Sequence, residues 1–298
     1  MRGRGRETVK VAAEIAVPIA IVVVWELWAR SADSQFWPPP SKIVQEFNDL
    51  WIFEQFRSDV VPSLMRILLG FGIGSAIGVA IGVPLGMSLW ARKFAMPHIE
   101  YWRAMPPPAL LPISVLLLHS IGNLQKVSFI AFFCIFPVLL NTIDGIRALD
   151  PTLVDTARAY GIPAHERIRR IVLPAAFPQI SAGMRISLSL AVIIMVVAEY
   201  FSSTSGVGYV LLISKNTFQL GPMWAAIVLI GVIGYVLNLA YLLAERRMLA
   251  WHRGWRAATA LSSCGINQRA VVPITPMRAS PDTSLSSEAM SAAMSSIS

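Results

Sequence analysis

The sequence predicts an all-α membrane protein with six transmembrane helices, and three observations support this. Hydrophobic residues make up 55% of the 298-residue chain and charged residues only 14%, whereas soluble domains average about 45–50% and about 25%. The mean hydropathy is +0.60. Several apolar segments reach roughly 20 residues, the length at which a helix crosses a bilayer core of about 30 Å. A disordered chain would carry fewer apolar residues, and two cysteines are too few for a disulfide scaffold.

Six segments are apolar enough to be predicted as spans, with both termini cytoplasmic. In order, the spans are Val11–Ala29, Leu64–Leu89, Pro106–Ile121, Val127–Ile146, Ala175–Phe201 and Met223–Ala244. A basic head before an apolar run is also typical of a signal peptide, but this run exceeds the usual apolar core of about 7–15 residues, and further spans follow it. We therefore interpret it as a retained first helix.

The distribution of positive charge supports this count, including the third span, which is short and contains four prolines. With a cytoplasmic amino terminus, 18 of the 25 Lys and Arg residues fall inside and six outside, the bias that membrane proteins show. Removing the third span would move the five arginines between residues 147 and 170 to the outside. The positive residues that give the net charge of +8 are explained by this membrane topology. We therefore expect no nucleic-acid partner.

This topology divides the chain into a membrane core and its flanking segments. Residues 257–298 are rich in Ser and Ala with few charges, and we expect a disordered cytoplasmic tail. The aromatic residues of the external loop suit the lipid headgroup layer. The predicted parts are a cytoplasmic head at 1–10, the first helix at 11–29, an external (periplasmic) loop at 30–63 with an amphipathic stretch Ile43–Phe56, a core at 64–250 containing a cytoplasmic loop at 147–174, and the tail at 257–298.

Five glycines recur every four residues through the second span: Gly70, Gly74, Gly78, Gly82 and Gly86. Such a GxxxG ladder lets helix backbones approach closely within a bilayer, where no hydrophobic effect drives helices together. We predict that these glycines pack against a crossed neighbouring helix. A phosphate-binding loop is excluded because the sequence contains no GxxxxGK[ST] motif.

The cytoplasmic loop at 147–174, which we call the elbow, is the most informative segment. Its pattern predicts a short helix ending near Gly161, a turn at Ile162-Pro163 and a second basic helix ending before Pro174, where the chain returns to the bilayer. A rigid elbow attached to two spans would convert a push from a cytoplasmic partner into motion of those spans. The alternative is a solvated basic loop that only sets topology.

The elbow resembles the "EAA" loop of binding-protein-dependent ABC transporter permeases, whose pattern is E-A-A-x3-G-x9-I-x-L-P. Asp155 stands at the Glu position and Thr156 and Ala157 at the two Ala positions. Asp keeps the carboxylate, whereas Thr156 adds a hydroxyl where the family has a small apolar group. The remaining pattern positions match, at Gly161, Ile171, Leu173 and Pro174.

Further segments resemble the nitrate/sulfonate/taurine branch of the same family, over about residues 36–250. One departure is His119-Ser120-Ile121-Gly122, where relatives tend to show a Trp-Phe-Gly-Ile-Gly-like run. The similar segments are Pro39-Pro40-Ser41, Arg66 to Phe71, Arg103 to Pro108, Phe136 to Gly145, Ala198-Glu199 and Ser205 to Tyr209.

The resemblance implies the type I ABC importer permease fold and a multi-pass protein of the cell inner membrane. It also implies a dimer, with a second copy as the expected partner, two cytoplasmic ABC ATPase subunits and an external solute-binding protein. ATP and Mg would be bound by the ATPase, so we expect no cofactor in this chain and no enzymatic activity of its own. The residues implied to contact the ATPase are Asp155, Thr156, Ala157, Gly161, Pro163, Ala164, His165, Ile171, Leu173 and Pro174.

The branch implies a small oxyanion as solute, an organic sulfonate, taurine or nitrate, with vitamin precursors or other small organic solutes as the alternative. Import would proceed by alternating access. The rival hypothesis from the sequence is a self-sufficient secondary transporter or channel. A membrane enzyme is disfavoured because no titratable groups cluster at one depth.

Polar residues within the spans are candidates for the translocation path, because they are costly in a bilayer. The candidates are Asn141, Asp144, Ser187 and Glu199. For Asn141 and Asp144 the alternative is hydrogen bonding between helices. For Arg185 and Glu199, which lie about 21 Å apart along one helix and cannot pair, the alternative is that their side chains snorkel to the membrane surfaces.

No metal site or catalytic site is predicted. His98 and His119 fall on opposite sides of the predicted topology, and neither an HExxH motif nor paired carboxylates accompany them. Cys134 and Cys264 lie in unrelated segments without a CxxC motif.

Overall fold

The computed structural model describes residues 2–32, 36–54, 56–119 and 121–249, and within these ranges every regular element is helical. π-Helical turns occupy Asn48–Glu54, Phe56–Val60 and Ile168–Val172. The helices are α1 (Arg2–Ala32), α2 (Pro40–Phe47), α3 (Val61–Met87), α4 (Leu89–Ala104), α5 (Pro107–Leu118), α6 (Asn123–Arg147), α7 (Pro151–Ala159), α8 (Ala164–Arg167), α9 (Leu173–Ser202), α10 (Val207–Asn216) and α11 (Leu220–Met248).

Four stretches of the described residues are long and apolar enough to cross a bilayer: Phe56–Met87, Asn123–Arg147, Ala164–Ser202 and Leu220–Met248. They contain the predicted second, fourth, fifth and sixth spans, apart from two residues at the end of the second. The predicted first span lies within α1. The six-helix count and the orientation stay predictions, and the predicted tail at 257–298 lies outside the described residues.

The third predicted span differs most from the structure. Residues 107–118 form the 12-residue helix α5, which extends only about 18 Å and is shorter than a bilayer core of about 30 Å. A separate helix, α4, precedes it where no helix was predicted. Ser88 begins α4 by accepting a hydrogen bond from the Ala91 N–H, and the prolines at 106–108 separate α4 from α5 because each fixes φ and lacks an N–H.

The amphipathic stretch at 43–56 packs partly on the protein, whereas Val44 and Phe56 are exposed, and the place of the loop's aromatic residues in the headgroup layer stays a prediction. Ile43 is 4% exposed and Trp51 only 1%. Helix α2 approaches α11 so closely that a Cβ at Gly221 would lie 2.8 Å from the Glu46 carboxylate. This part of the apolar face is therefore covered by α11 and the core instead of by lipid.

Helix α6 forms the centre of the fold, between α3 on one side and α9 on the other. Most of its residues are buried, including Phe129, Cys134 and Ile143. On the α9 side, a Cβ at Gly183 would lie 2.5 Å from the Cβ of Asn141. On the α3 side the approach is equally close, and α6 therefore has almost no surface left for lipid.

The glycine ladder of α3 lies along this contact with α6. A Cβ at Gly74 would come within 2.5 Å of the Ala131 carbonyl oxygen, and one at Gly78 within 2.9 Å of the Ile135 carbonyl oxygen. These obstacles are backbone atoms, which cannot rotate away. The nearest atoms at the other ladder positions belong to side chains of α6, at Gly70 (Ile130, 2.6 Å), Gly82 (Thr142, 2.7 Å) and Gly86 (Ile146, 3.0 Å).

We predict that Gly78→Leu lowers the folded yield and the thermal stability of the purified protein. The larger side chain must push α3 away from the α6 backbone, and overpacking of this kind typically costs about 1–3 kcal/mol. The matched control is Gly72→Leu on the same helix, where a Cβ meets nothing within 4 Å. Size-exclusion profiles and melting curves of the two variants test this, and equal behaviour of both would contradict close packing at the ladder.

Candidate functional site

The first limb of the elbow is α7, which is closed at both ends by local hydrogen bonds. Asp150 caps its amino terminus by accepting a hydrogen bond from the Thr152 N–H at 2.9 Å. Hydrogen bonds from the Thr152 side chain and backbone lower the pKa of Asp150, so this cap carries its charge at neutral pH.

Gly161 ends α7 in the left-handed region, with φ of +71°. The Ile162 N–H donates to the Ala157 carbonyl at 3.1 Å and the Gly161 N–H to the Arg158 carbonyl at 2.9 Å. These two bonds form a Schellman motif, which favours glycine at this position. A Cβ at Gly161 would meet nothing within 4 Å, so backbone conformation and not space selects the glycine.

The second limb is continuous with a transmembrane helix. α8, the π-helical turn at 168–172 and α9 run without interruption as one 39-residue helix, Ala164–Ser202. The expected helix end before Pro174 is therefore wrong. Pro174 lies in the first turn of α9, and the wider π-helical turn just before it accommodates a residue without an N–H without breaking the helix.

The outer surface of the elbow carries an apolar face that the sequence analysis did not single out. Leu153 is 44% exposed and Tyr160 is 82% exposed; seven residues apart, they lie on the same side of α7. They border a surface groove of about 470 Å³ lined also by Thr156, Ala157, Ile162 and Ile171. The signal was present in the sequence as two large apolar residues with helical spacing on an otherwise polar helix.

The residues implied by the family resemblance fall on this groove or beside it. Asp155 is exposed and pairs with Arg158 at 3.1 Å. The Thr156 hydroxyl donates to the Thr152 carbonyl at 2.7 Å, so the departure from alanine is satisfied within α7. Ala157 is buried; Pro163, Ala164 and His165 are exposed; and Ile171, Leu173 and Pro174 are half-buried.

The elbow is anchored in the helix bundle through its second limb. Val172 is 1% exposed and packs with Ala176 and Ile180 of α9 against Val83 of α3 and Ile146 of α6. A displacement of the elbow must therefore move the ends of three long helices together, because close-packed side chains transmit strain.

A second polar site lies near the other end of α9, around the carboxylate of Glu199. Glu199 accepts hydrogen bonds from the Ser63 hydroxyl at 2.7 Å, from the Arg66 guanidinium at 2.5 Å and from the Gly208 N–H at 3.0 Å. Arg66 also donates to the carbonyl oxygen of Ser205 and to the side chain of Asn123. We call these residues the Glu199 cluster; it ties α3, α6, α9 and α10 to one another.

The glycines of the Ser205–Tyr209 segment fit the Glu199 cluster. Gly206 has φ of +114°, and a Cβ there would lie 2.5 Å from the Glu199 carboxylate. A Cβ at Gly208 would lie 2.7 Å from the Glu199 Cβ. Asp59, which lies just before α3, holds this segment by accepting a hydrogen bond from the Gly206 N–H at 2.6 Å.

The structure places Glu199 inside the bundle. Its side chain is 0% exposed, so it does not extend to a surface of this chain as the snorkelling alternative expects, and its role in a path stays a prediction. Glu199 is held there by Arg66, 133 residues away in sequence, which the sequence analysis did not connect with it. Arg185 is 44% exposed and pairs with Glu245 near the end of α11, and whether its side chain snorkels stays a prediction.

The other three path candidates, Ser187, Asn141 and Asp144, make separate contacts and do not line one common surface. Ser187 is fully buried and donates to the Cys134 carbonyl at 3.0 Å. Asn141 donates to the Pro137 carbonyl and accepts from the Gln179 side chain at 3.0 Å. Asp144 is exposed near Arg147. Asn141 therefore makes a hydrogen bond between helices and Asp144 an ion pair within its own helix, and their role in a path stays a prediction.

No group of three His, Cys, Asp or Glu residues able to hold a metal ion occurs within the described ranges. His98 contacts Phe94 of its own helix, and His119 ends α5 with φ of 46°.

The fold and the elbow define a multi-pass membrane transport subunit. The chain belongs to the family described as the inner membrane component of binding-protein-dependent transport systems, whose sequence pattern matches residues 70–250. It is accordingly the inner-membrane permease subunit of an ABC importer.

Similar proteins are transport permeases. The chain is 34% identical to an Escherichia coli protein named as an aliphatic sulfonates transport permease, SsuC, over 79% of this chain and 90% of that protein. It is 30% identical to the Bacillus subtilis protein of the same name, over 81% and 88%. A chain of the MetNI methionine ABC transporter in an inward-facing conformation superposes with a TM-score of 0.59 at 17% identity, covering 65% of this chain and 95% of that one.

We predict that Glu199→Ala strongly destabilises the protein. The substitution leaves Arg66, only 5% exposed, as a buried unpaired charge, and breaking such a pair typically costs about 3–5 kcal/mol. Thermal unfolding in detergent measures the effect.

The matched control for Glu199→Ala is Glu100→Ala. Glu100 forms an ion pair with Arg103 at 2.6 Å, but both side chains are about half exposed, and such surface pairs contribute about 0–1 kcal/mol. If the two variants melted at the same temperature, the Glu199 cluster would not hold the helices together.

Proposed function

We propose that this chain is the transmembrane subunit of an importer that moves a small oxyanion, an organic sulfonate, taurine or nitrate, into the cell. Two copies would form the membrane path, a separate ATPase pair would bind ATP and Mg and supply the energy, and an external binding protein would deliver the solute. The names of the similar proteins support the solute class. Bicarbonate is a further candidate solute, since a 24% identical Synechococcus elongatus protein is named as a bicarbonate transport permease.

One observation carries the coupling assignment: an exposed apolar face lies on a limb that joins a transmembrane helix without a break. Leu153 and Tyr160 expose apolar surface at the tip of the elbow, and exposed patches of this kind favour a protein partner. The rod from Ala164 to Ser202 would transmit ATPase closure into tilting of α9. Alternating access would follow from the movement of α9 against α11, which contacts it only along one side.

The proposal is tested by reconstituting this chain in liposomes with its ATPase and its binding protein. We expect uptake to require internal-facing ATPase, ATP and binding protein together, because the chain has no phosphate-binding loop. A panel of ethanesulfonate, taurine, nitrate, bicarbonate and pyrimidines identifies the solute. Uptake by this chain alone, driven by an ion gradient and indifferent to ATP, would instead establish the secondary transporter.

We predict that Gly161→Val uncouples the ATPase from transport while the protein stays inserted. A β-branched residue at φ of +71° is strained by roughly 1–2 kcal/mol, so the Schellman turn opens and the groove beside Tyr160 changes shape. Co-purification of the ATPase and ATP-driven uptake should both fall.

Gly161→Asn is the matched control, because Asn tolerates the left-handed conformation and a Cβ there meets no neighbour within 4 Å. This variant should retain both association and uptake. Normal coupling in Gly161→Val, or equal loss in both variants, would argue against a role for the turn geometry.

A further inference from the structure

Three polar contacts join α9 to α11 within the membrane-spanning part of the fold. Ser181 and Tyr241 hydroxyls lie 3.0 Å apart, Arg185 pairs with Glu245, and the Asn238 side chain donates to the Ser189 hydroxyl at 2.9 Å. Arg185 lies about 18 Å along the helix from the start of α9. Its partner Glu245 lies near the end of α11, one residue beyond the predicted sixth span, so the pair lies towards one edge of the spans. An ionisable group within a span is a candidate functional site when some of its hydrogen-bond donors have no protein partner.

Arg185 has N–H donors that bind no other group of the described residues. Its side chain is 44% exposed, whereas that of Glu245 is 9% exposed. A guanidinium has five N–H donors, and among the described residues Arg185 makes the one contact with Glu245 and no further hydrogen bond. Arg66 is the opposite case, since it is buried and its donors reach Glu199, Ser205 and Asn123.

Arg185 borders a stripe of α9 formed by Ala182, Ile186, Ser189 and Ile193, which share one face at helical spacing; Ala182 and Ser189 are half-buried. Ile186 and Ile193 are more than half exposed. On the side opposite Arg185 the stripe is flanked by the hydrogen-bonded amides of Gln179 and Asn141. A helix face flanked by a cation on one side and amides on the other is unfavourable against lipid tails and suits a hydrated path.

We propose that Arg185 is a specificity-determining residue that binds the anionic group of the solute as it passes α9, while Glu245 positions the guanidinium. The free N–H donors of Arg185 match the oxygens of a sulfonate, and charge-assisted hydrogen bonds of this kind are short and strong. Because Glu245 pairs with one nitrogen of the guanidinium, the site is close to neutral when empty and would bind the anion weakly enough to release it. This inference rests on the proposed function.

The decisive variants are Arg185→Gln and Glu245→Gln, compared in the reconstituted complex with labelled ethanesulfonate as the probe. Loss of a charged hydrogen-bonding partner corresponds to about tenfold or more in affinity. We therefore expect Arg185→Gln to lower uptake at low ethanesulfonate concentration about tenfold or more, while binding-protein-stimulated ATP hydrolysis continues. Glu245→Gln leaves the site positively charged, so we expect it to lower the KM for ethanesulfonate and to slow turnover. The control is Arg103→Gln, which removes an exposed ion-paired arginine of α4 and should retain uptake within about threefold.

The exchanged pair Arg185→Glu/Glu245→Arg separates recognition from structure. It restores an ion pair between α9 and α11 but moves the cation from one helix to the other. We expect it to assemble and hydrolyse ATP without taking up ethanesulfonate. Recovered uptake in the exchanged pair, or wild-type uptake in Arg185→Gln, would overturn the assignment and leave the pair as a structural contact.

Should Arg185→Gln fail to assemble, Arg185→Lys provides the test. Lysine keeps the charge but loses the planar fork, so we expect an assembled complex with a raised KM for ethanesulfonate. If the lysine variant also failed to assemble, or had an unchanged KM, Arg185 would be structural and the inference wrong. Failure of the proposed function is a separate result, because the unaltered complex would then show no ATP-driven uptake.

Discussion

The fold depends on a charge that is buried within the bundle and fully paired. Glu199 is 0% exposed and is held by Arg66, Ser63 and the Gly208 N–H. A lone carboxylate at that position would be too costly to bury, so the helices that supply its partners must stay together. This requirement fixes the ends of α3 and α9 and the loop leading into α10, and it explains why that loop is built from glycine.

The rest of the bundle is held by close packing. The glycine ladder brings α3 against α6 along most of its length, from Gly70 to Gly86, and Gly183 brings α9 against α6 from the other side. Val172, Ala176 and Ile180 extend this packing to the elbow. The close-packed contact therefore runs from the Glu199 cluster to the elbow.

Two arginines within the spans illustrate how burial decides function. Arg66 is enclosed and its donors have acceptors, so it stabilises the fold. Arg185 is half exposed, with a single partner among the described residues. The same side chain is structural in one place and available to a solute in the other, and the difference lies in what surrounds it. Neither role follows from residue type.

Hydrophobicity and local spacing are enough to predict the membrane class, the positions of four long spans, the glycine spacing and the family of the elbow. They predict a longer helix than α5 and miss α4, because the prolines and aromatic residues of this part do not show where one helix ends and the next begins. The pairing of Glu199 with Arg66 and of Arg185 with Glu245 becomes visible only in the folded chain. These partners lie on helices that are distant in sequence, and no local pattern records which faces of two helices will meet.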